Sequence, residues 1–241
     1  MGLAGMSKKH RLRGGDIRLG VNCRYQNVRM NLEGVIKFYV EHETKVCCSE
    51  SDIVELTKWR NKLRAAGLVG QDLARYGGLG FGNLSKRMGD GTFLITASQT
   101  GHWEKLTPEG YARIINFDPG RNLVWSEGIN HPSSETMSHL AAYGSNQEVQ
   151  FVFHAHCPEI WTAKDDLDIP ITDPAVECGT TEMFYEVQRL LKDRENYQKG
   201  ILAMGGHTDG ILAWGKTADE TGFNLLSLLS RTARPIFLAT N

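Results

Sequence analysis

Residues 149–158 read Val149-Gln150-Phe151-Val152-Phe153-His154-Ala155-His156-Cys157-Pro158, and the fold is decided by this stretch. An apolar run of this length, rich in β-branched and aromatic side chains and stopped by a proline, is the pattern of a strand buried on both faces. His154 and His156 stand two apart, so on a strand both imidazoles project to one face and can reach a single ion at about 2.0–2.1 Å. Eight histidines in 241 residues would give roughly 0.3 accidental His-x-His pairs, so the pair alone is only suggestive.

The flanking sequence supplies helices and strands in alternation. Upstream, Ser133 or Ser134 is placed to cap a helix through ETMSHLAAYG that ends at Gly144. Before it, INFDPGRNLVWSEG reads as two strands joined by a turn at Asp118-Pro119-Gly120, and Phe93–Ala97 (FLITA) as another strand. Thr107-Pro108 begins a short helical element. Further back, IVELTKWRNKLRAAGLV has helical spacing behind a cap at Ser51 or Asp52, and QDLARYG reads as a second helical stretch. Downstream come the helix TTEMFYEVQRLLKDR, the buried strand GILAM and a last helix from about Thr217 to before Pro235. This alternation predicts an α/β fold: a three-layer α/β/α sandwich with helices on both faces of a central, mainly antiparallel or mixed sheet. Residues 51–241 are expected to form that domain. Residues 1–50 divide into a basic arm carrying Lys8, Lys9, Arg11 and Arg13 and a strand over Val35–Val46 that extends the sheet or covers a neighbouring subunit.

Composition narrows the function. With 27 basic and 28 acidic side chains the net charge is −1, which gives no reason to expect a nucleic-acid or anionic-membrane partner. No run approaches the ~20 apolar residues needed to span a bilayer and no signal-peptide pattern opens the chain, so a cytoplasmic location is expected. The five cysteines, Cys23, Cys47, Cys48, Cys157 and Cys178, lack framework spacing and read as reduced thiols. Cys157, beside His156, reads as packing.

Two further ligand-type residues surround the strand. His207 lies in the glycine-rich loop GGHTDG after GILAM, where ligands gather at strand ends, and Glu135 lies in the first turn of its helix. A carboxylate there serves a metal site or closes a capping box, and the residues by themselves leave both open. Three stretches, Gly80-Phe81-Gly82-Asn83, Ser98-Gln99-Thr100-Gly101 and Pro132-Ser133-Ser134, combine small residues with hydroxyls or amides. Such turns hold an anion through backbone N–H groups without a cluster of lysines.

The chain resembles the class II aldolase/adducin family, which includes zinc-dependent sugar-phosphate aldolases such as fuculose-phosphate aldolase, together with epimerases, dehydratases and non-catalytic adducin-like modules. The resemblance runs from about Trp59 to Arg234. It is carried by GFGNLSKR (80–87), FLITASQTG with EKLTPE (93–109), HPSSETMSHLAAY (131–143), VFHAHCP (152–158), CGTTEMFYEV (178–187) and GHTDGILAWG (206–215). It implies that His154, His156 and a later histidine hold Zn²⁺, or another divalent transition metal, and that Glu135 is the catalytic acid/base. It implies a substrate phosphate on Asn83, Thr100, Gly101, Ser133 and Ser134, a small sugar-phosphate-like substrate cleaved through a zinc-stabilised enediolate, and a homotetramer. The GGHTDG loop is two residues longer than the family pattern. Aligned from the left it makes His207 the third ligand, and from the right Asp209. We prefer His207, which completes a three-imidazole set, with Asp209 orienting a ligand. Between Cys157 and Cys178 the chain is shorter than the aldolases by about a dozen residues, the loop length being variable. The lost segment is where fuculose-phosphate aldolase carries a tyrosine proton donor, and Tyr185, on a helix, is a poor substitute.

Overall fold

Strands that are apolar on both faces need a helical layer on each, and the chain provides them. The computed structural model describes residues 34–232; the basic arm, Cys23 and the end of the chain lie outside the described residues. In chain order the first half runs β1 (Tyr39–Thr44), α1 (Glu50–Ala65), β2 (Gly70–Gln71), β3 (Gly80–Phe81), β4 (Asn83–Arg87), β5 (Phe93–Thr96), β6 (Tyr111–Asp118), β7 (Leu123–Gly128) and α2 (Thr136–Ser145). The second half runs β8 (Phe151–His156), α3 (Pro158–Thr162), α4 (Thr181–Leu191), α5 (Arg194–Lys199), β9 (Ile201–Ala203), β10 (Gly210–Gly215) and α6 (Ala218–Thr232).

Eight strands form one sheet in the order β1-β7-β6-β5-β4-β8-β10-β9. β1 pairs parallel with β7 and every other neighbouring pair is antiparallel, so the sheet is mixed. β8 sits inside, between β4 and β10. Its alternation divides the core. Phe151, Phe153 and Ala155 pack with Leu56, Trp59 and Leu225 of α1 and α6, whereas Val152 packs with Met137, Ala141, Met183 and Val187 of α2 and α4. β10 splits likewise, with Ile211 and Ala213 on the first face and Leu212 and Trp214 on the second. The three-layer α/β/α architecture is thus the expected one. His154 and His156 share a parity with Val152, which puts them on the α2/α4 face.

Several local expectations are corrected. QDLARYG is not a helix: Gly70–Gln71 forms a short strand and a 3₁₀ turn spans Tyr76–Gly78, with Gly77 and Gly78 at φ 67° and 78°, beyond what helical geometry allows. Helix α1 starts earlier than expected, capped by Ser49 in a box with Asp52, and it stops at Ala65 ahead of Gly67, whose φ is 72°. Glu135 itself, rather than Ser133 or Ser134, occupies the N-cap position of α2. Asn83–Arg87 is a strand that the glycines before it conceal in the sequence. Of the Val35–Val46 segment only Tyr39–Thr44 is strand, and it extends the sheet as edge strand β1.

Trp59 is fully buried and donates its indole N–H to Asp219 Oδ1 at 2.8 Å, joining α1 to α6. Gly222 of α6 faces the same indole, and a Cβ there would overlap its ring. For Gly222→Ala, the helix-propensity gain of about 1 kcal/mol opposes an overpacking cost of about 1–3 kcal/mol. Urea unfolding is expected to show a lower midpoint at unchanged m-value. A raised midpoint would mean that the α1–α6 contact yields without cost.

Candidate metal centre

β8 places its two histidines through register as well as parity. His154 stands opposite Asn83 of β4 on one side and Leu212 of β10 on the other, and His156 stands opposite Gly210. His207 arrives from the loop joining β9 to β10. That loop is closed by Met204 N–H to Gly210 C=O at 2.8 Å, His207 N–H to Met204 C=O at 3.1 Å and Gly210 N–H to His207 C=O at 2.9 Å. Gly205 and Gly206 permit the close packing: a Cβ on either would overlap the carbonyls of Thr172 or Val176.

The three rings converge. His154 Nε2 lies 3.2 Å from both His156 Nε2 and His207 Nε2, and one nitrogen from each residue falls within 4.8 Å of the others. All three residues are buried. His154 Nδ1 contacts the Ile211 carbonyl at 3.1 Å; a proton on Nδ1 leaves the Nε2 lone pair turned towards its neighbours. Burial holds the imidazoles neutral, lowering His154 to about 4 and pushing His156 and His207 well below 6.5. A neutral imidazole is the form that binds a metal.

Glu135 lies beside this cluster. One of its carboxylate oxygens, the Cys178 sulfur and a His207 nitrogen form a second group within 4.8 Å of one another. Burial raises the carboxyl's pKa; hydrogen bonds from Cys178 and Ser138 and the charge of Lys37 act in the opposite direction. Ser138 Oγ is 3.2 Å from Glu135 Oε2. Asp209 belongs to neither group. It adopts φ 66° and accepts a hydrogen bond from the Tyr76 hydroxyl at 3.0 Å. The Tyr76 ring packs edge-on against His156, 4.5 Å between centroids, so Asp209 bears on that imidazole through Tyr76.

Asn83, Thr100, Gly101, Ser133 and Ser134 line one concavity, together with Gly34, Gly82 and Gln99. Asn83 is 6% exposed, and its Oδ1 has no hydrogen-bond partner among the described residues. Behind the concavity, the buried Arg60 guanidinium donates to the carbonyls of Thr100 (3.2 Å), Gly101 (3.2 Å), Trp103 (2.5 Å) and Glu104 (3.3 Å). It fixes the loop and adds positive charge there. Sequence reasoning missed Tyr76, Cys178, Arg60 and Lys37. Of these only Cys178 lies in a stretch that carries the family resemblance, and the partners of the others are far along the chain.

Residues 69–234 match the model of the Class II Aldolase and Adducin N-terminal domain, well over half of the chain. The chain belongs to this family. Solved members are similar to it in fold. L-fuculose 1-phosphate aldolase superposes with a TM-score of 0.57 at 21% identity, covering 78% of this chain and 85% of its own. A sugar-phosphate aldolase from Thermotoga maritima gives 0.59 at 16% identity, covering 76% and 92%. YgbL from Escherichia coli, for which aldolase, epimerase and decarboxylase activities are the candidates, gives 0.57 at 18% identity, covering 77% and 91%. Among curated proteins no sequence matches.

The buried imidazoles of this class II aldolase family member set a pH dependence. His139, also fully buried with Nδ1 2.6 Å from Ser85 Oγ, is likewise pushed well below 6.5 by burial. A folded pKa below the unfolded one means that the folded state binds fewer protons. Stability is then complete above about pH 6.5 and lost as pH falls through the folded values. In chelator, the urea midpoint should be level from pH 8 to 7 and fall steadily below 6.5. A midpoint rising on acidification would contradict this assignment.

Proposed function

We propose that this chain is a zinc-dependent lyase that cleaves a small phosphorylated or carboxylated keto-sugar in a retro-aldol reaction. The observation that carries the reading is the convergence of three buried, neutral imidazoles beside one buried carboxyl of raised pKa. The donor set fits zinc, which takes imidazole nitrogen in tetrahedral sites and keeps a position open for substrate when three protein ligands hold it. His154, His156 and His207 would hold the ion. When bound, it supplies the Lewis acidity that an enediolate demands.

The protein's own groups do the rest. The concavity around Asn83, Thr100, Gly101, Ser133 and Ser134 takes the anionic end of the substrate through hydroxyls, an amide and backbone N–H groups, with Arg60 behind the loop. Rotation of the Asn83 side chain presents either its oxygen or its NH₂ to the bound group. As the C–C bond breaks, the hydroxyl on the departing carbon loses its proton to solvent and becomes an aldehyde carbonyl, and Glu135 delivers a proton to the carbon that the bond left. A carboxyl whose pKa is raised towards the working pH gives and takes that proton more readily. Its hydrogen bonds from Ser138 and Cys178 hold it in one orientation.

Epimerase or dehydratase chemistry through the same enediolate is the second reading. It is favoured by the short connection between Cys157 and Cys178, which contains no tyrosine, while Tyr185 is 53% exposed on α4. The assembly we infer is the homotetramer of the family. Among the described residues no helix is long and apolar enough to cross a membrane.

Metal analysis of purified protein is expected to give one zinc per chain, with turnover of ketose phosphates lost on chelation and restored by zinc. Carbon NMR of the products should show two shorter fragments. Retention of every carbon chain would replace cleavage by epimerisation or dehydration, and a protein that binds no metal would be a non-catalytic module. Glu135→Gln, which keeps the shape and removes the exchangeable proton, should lower kcat by about 10²–10⁴. Unimpaired turnover by that variant would remove Glu135 from the chemistry.

A further inference from the structure

The two donor groups share His207 but differ in chemistry. The first offers three neutral nitrogens, and the second offers an imidazole, a carboxylate and a sulfur. We propose that Cys178 is a metal-ligating thiolate, and that Glu135, Cys178 and His207 form a second cation position overlapping the three-histidine one and preferring thiophilic divalent ions. This proposal rests on the metal centre inferred above and extends its ligand set to a residue outside that centre.

Geometry and burial support it. Glu135, Cys178 and His207 are 3%, 4% and 2% exposed, so their donor atoms face one another rather than solvent. The sulfur is held in place. Lys37 donates to the Cys178 carbonyl at 2.8 Å, lies 3.9 Å from the sulfur and bridges to Glu177 at 2.9 Å. Gly179 follows at φ 72°, and a Cβ there would stand 2.8 Å from the Ser134 carbonyl, so the loop closes directly under the Glu135 segment. Thr180 caps α4 immediately after, its hydroxyl accepting from Met183 N–H at 3.2 Å. Both ends of the cysteine are thereby fixed before any ion arrives, as a site of defined geometry requires.

Cys157 provides the contrast. It adjoins His156, but its sulfur accepts the Ile160 N–H at 3.5 Å, lies 3.5 Å from Glu159 Oε2 and joins neither donor group. Proximity to a histidine in sequence therefore does not select a ligand, whereas the loop anchored by Lys37 does. In the absence of an ion the Cys178 thiol hydrogen-bonds to the Glu135 carboxylate. On binding, the S–H bond breaks, the proton leaves to solvent and the sulfur lone pair goes to the metal. A set containing thiolate and imidazole favours Zn²⁺, Co²⁺ and Cd²⁺ over Mg²⁺ and Mn²⁺.

The test loads the full chain with Co²⁺ and records its absorption. Wild type is expected to show the visible bands of nitrogen-ligated cobalt together with a near-ultraviolet sulfur-to-cobalt charge-transfer band. Cys178→Ser should abolish the near-ultraviolet band and weaken Cd²⁺ binding at least about tenfold, the lower end of what losing a supporting group at a metal site costs. Cys157→Ser should leave both unchanged. If Cys178→Ser does not fold by circular dichroism, ¹¹³Cd NMR of wild type replaces it, a thiolate-ligated ion resonating well downfield of a nitrogen- and oxygen-ligated one. Visible bands with no near-ultraviolet band, a band that survives Cys178→Ser, or an upfield cadmium resonance overturns the proposal and leaves the three-histidine centre standing. Absence of every cobalt band overturns both.

Discussion

Three buried imidazoles that converge on His154 are the constraint around which this protein is organised. A polar ring removed from water must find partners or stay neutral at a cost in free energy. Here one nitrogen of each ring lies within 4.8 Å of the other two, and the far nitrogen of His154 lies 3.1 Å from the backbone carbonyl of Ile211. A cation at the centre would give the three nitrogens one common partner. The interior position of β8 and the glycine packing of the β9–β10 loop bring the rings together.

The surrounding groups grade from neutral to charged across a short distance. Asn83 and the loops around Thr100 and Ser133 form a concavity with no charged side chain in its lining among the described residues, while Arg60 sits behind, spent on four carbonyls. Such a cradle would orient an anion without clamping it. On the other side, Glu135 and Cys178 face His207 within a loop tied down by Lys37. Lys37 lies outside the family-matched region, in the segment leading into β1, so the part of the chain that the family model does not cover contributes to the site.

Much of the fold was legible because period-two and 3.6-residue patterns report burial on one face or two. β8, β5, the β6–β7 hairpin, α2, α4 and α6 all announce themselves in this way. The misreadings have one origin. The QDLARYG stretch has helical composition, but the glycines that follow admit left-handed backbone, and the aromatic contact of Tyr76 with His156 and its bond to Asp209 draw the chain into a turn. β4 was hidden because Asn83, Ser85 and Lys86 are polar, although two antiparallel neighbours hold them in the sheet interior. Propensity is local, and sheet pairing overrides it.

By itself the sequence determined that His154 and His156 share a face, since alternation along a strand is a property of the backbone, and that the phosphate-type turns and Glu135 belong to motifs in a family order. It left His207 and Asp209 as rivals because a loop of six residues has no period to fix which side chain turns inward. Tertiary structure decided where each of them lies: the hairpin closure from Met204 to Gly210 goes with a buried His207 beside His154, and Asp209, at positive φ, accepts a hydrogen bond from Tyr76. It also decided the neighbourhood of Cys178, whose partners Lys37, Glu135 and His207 come from three other segments of the chain. Only packing can specify a meeting of that kind, because no local rule of the backbone links residues so far apart.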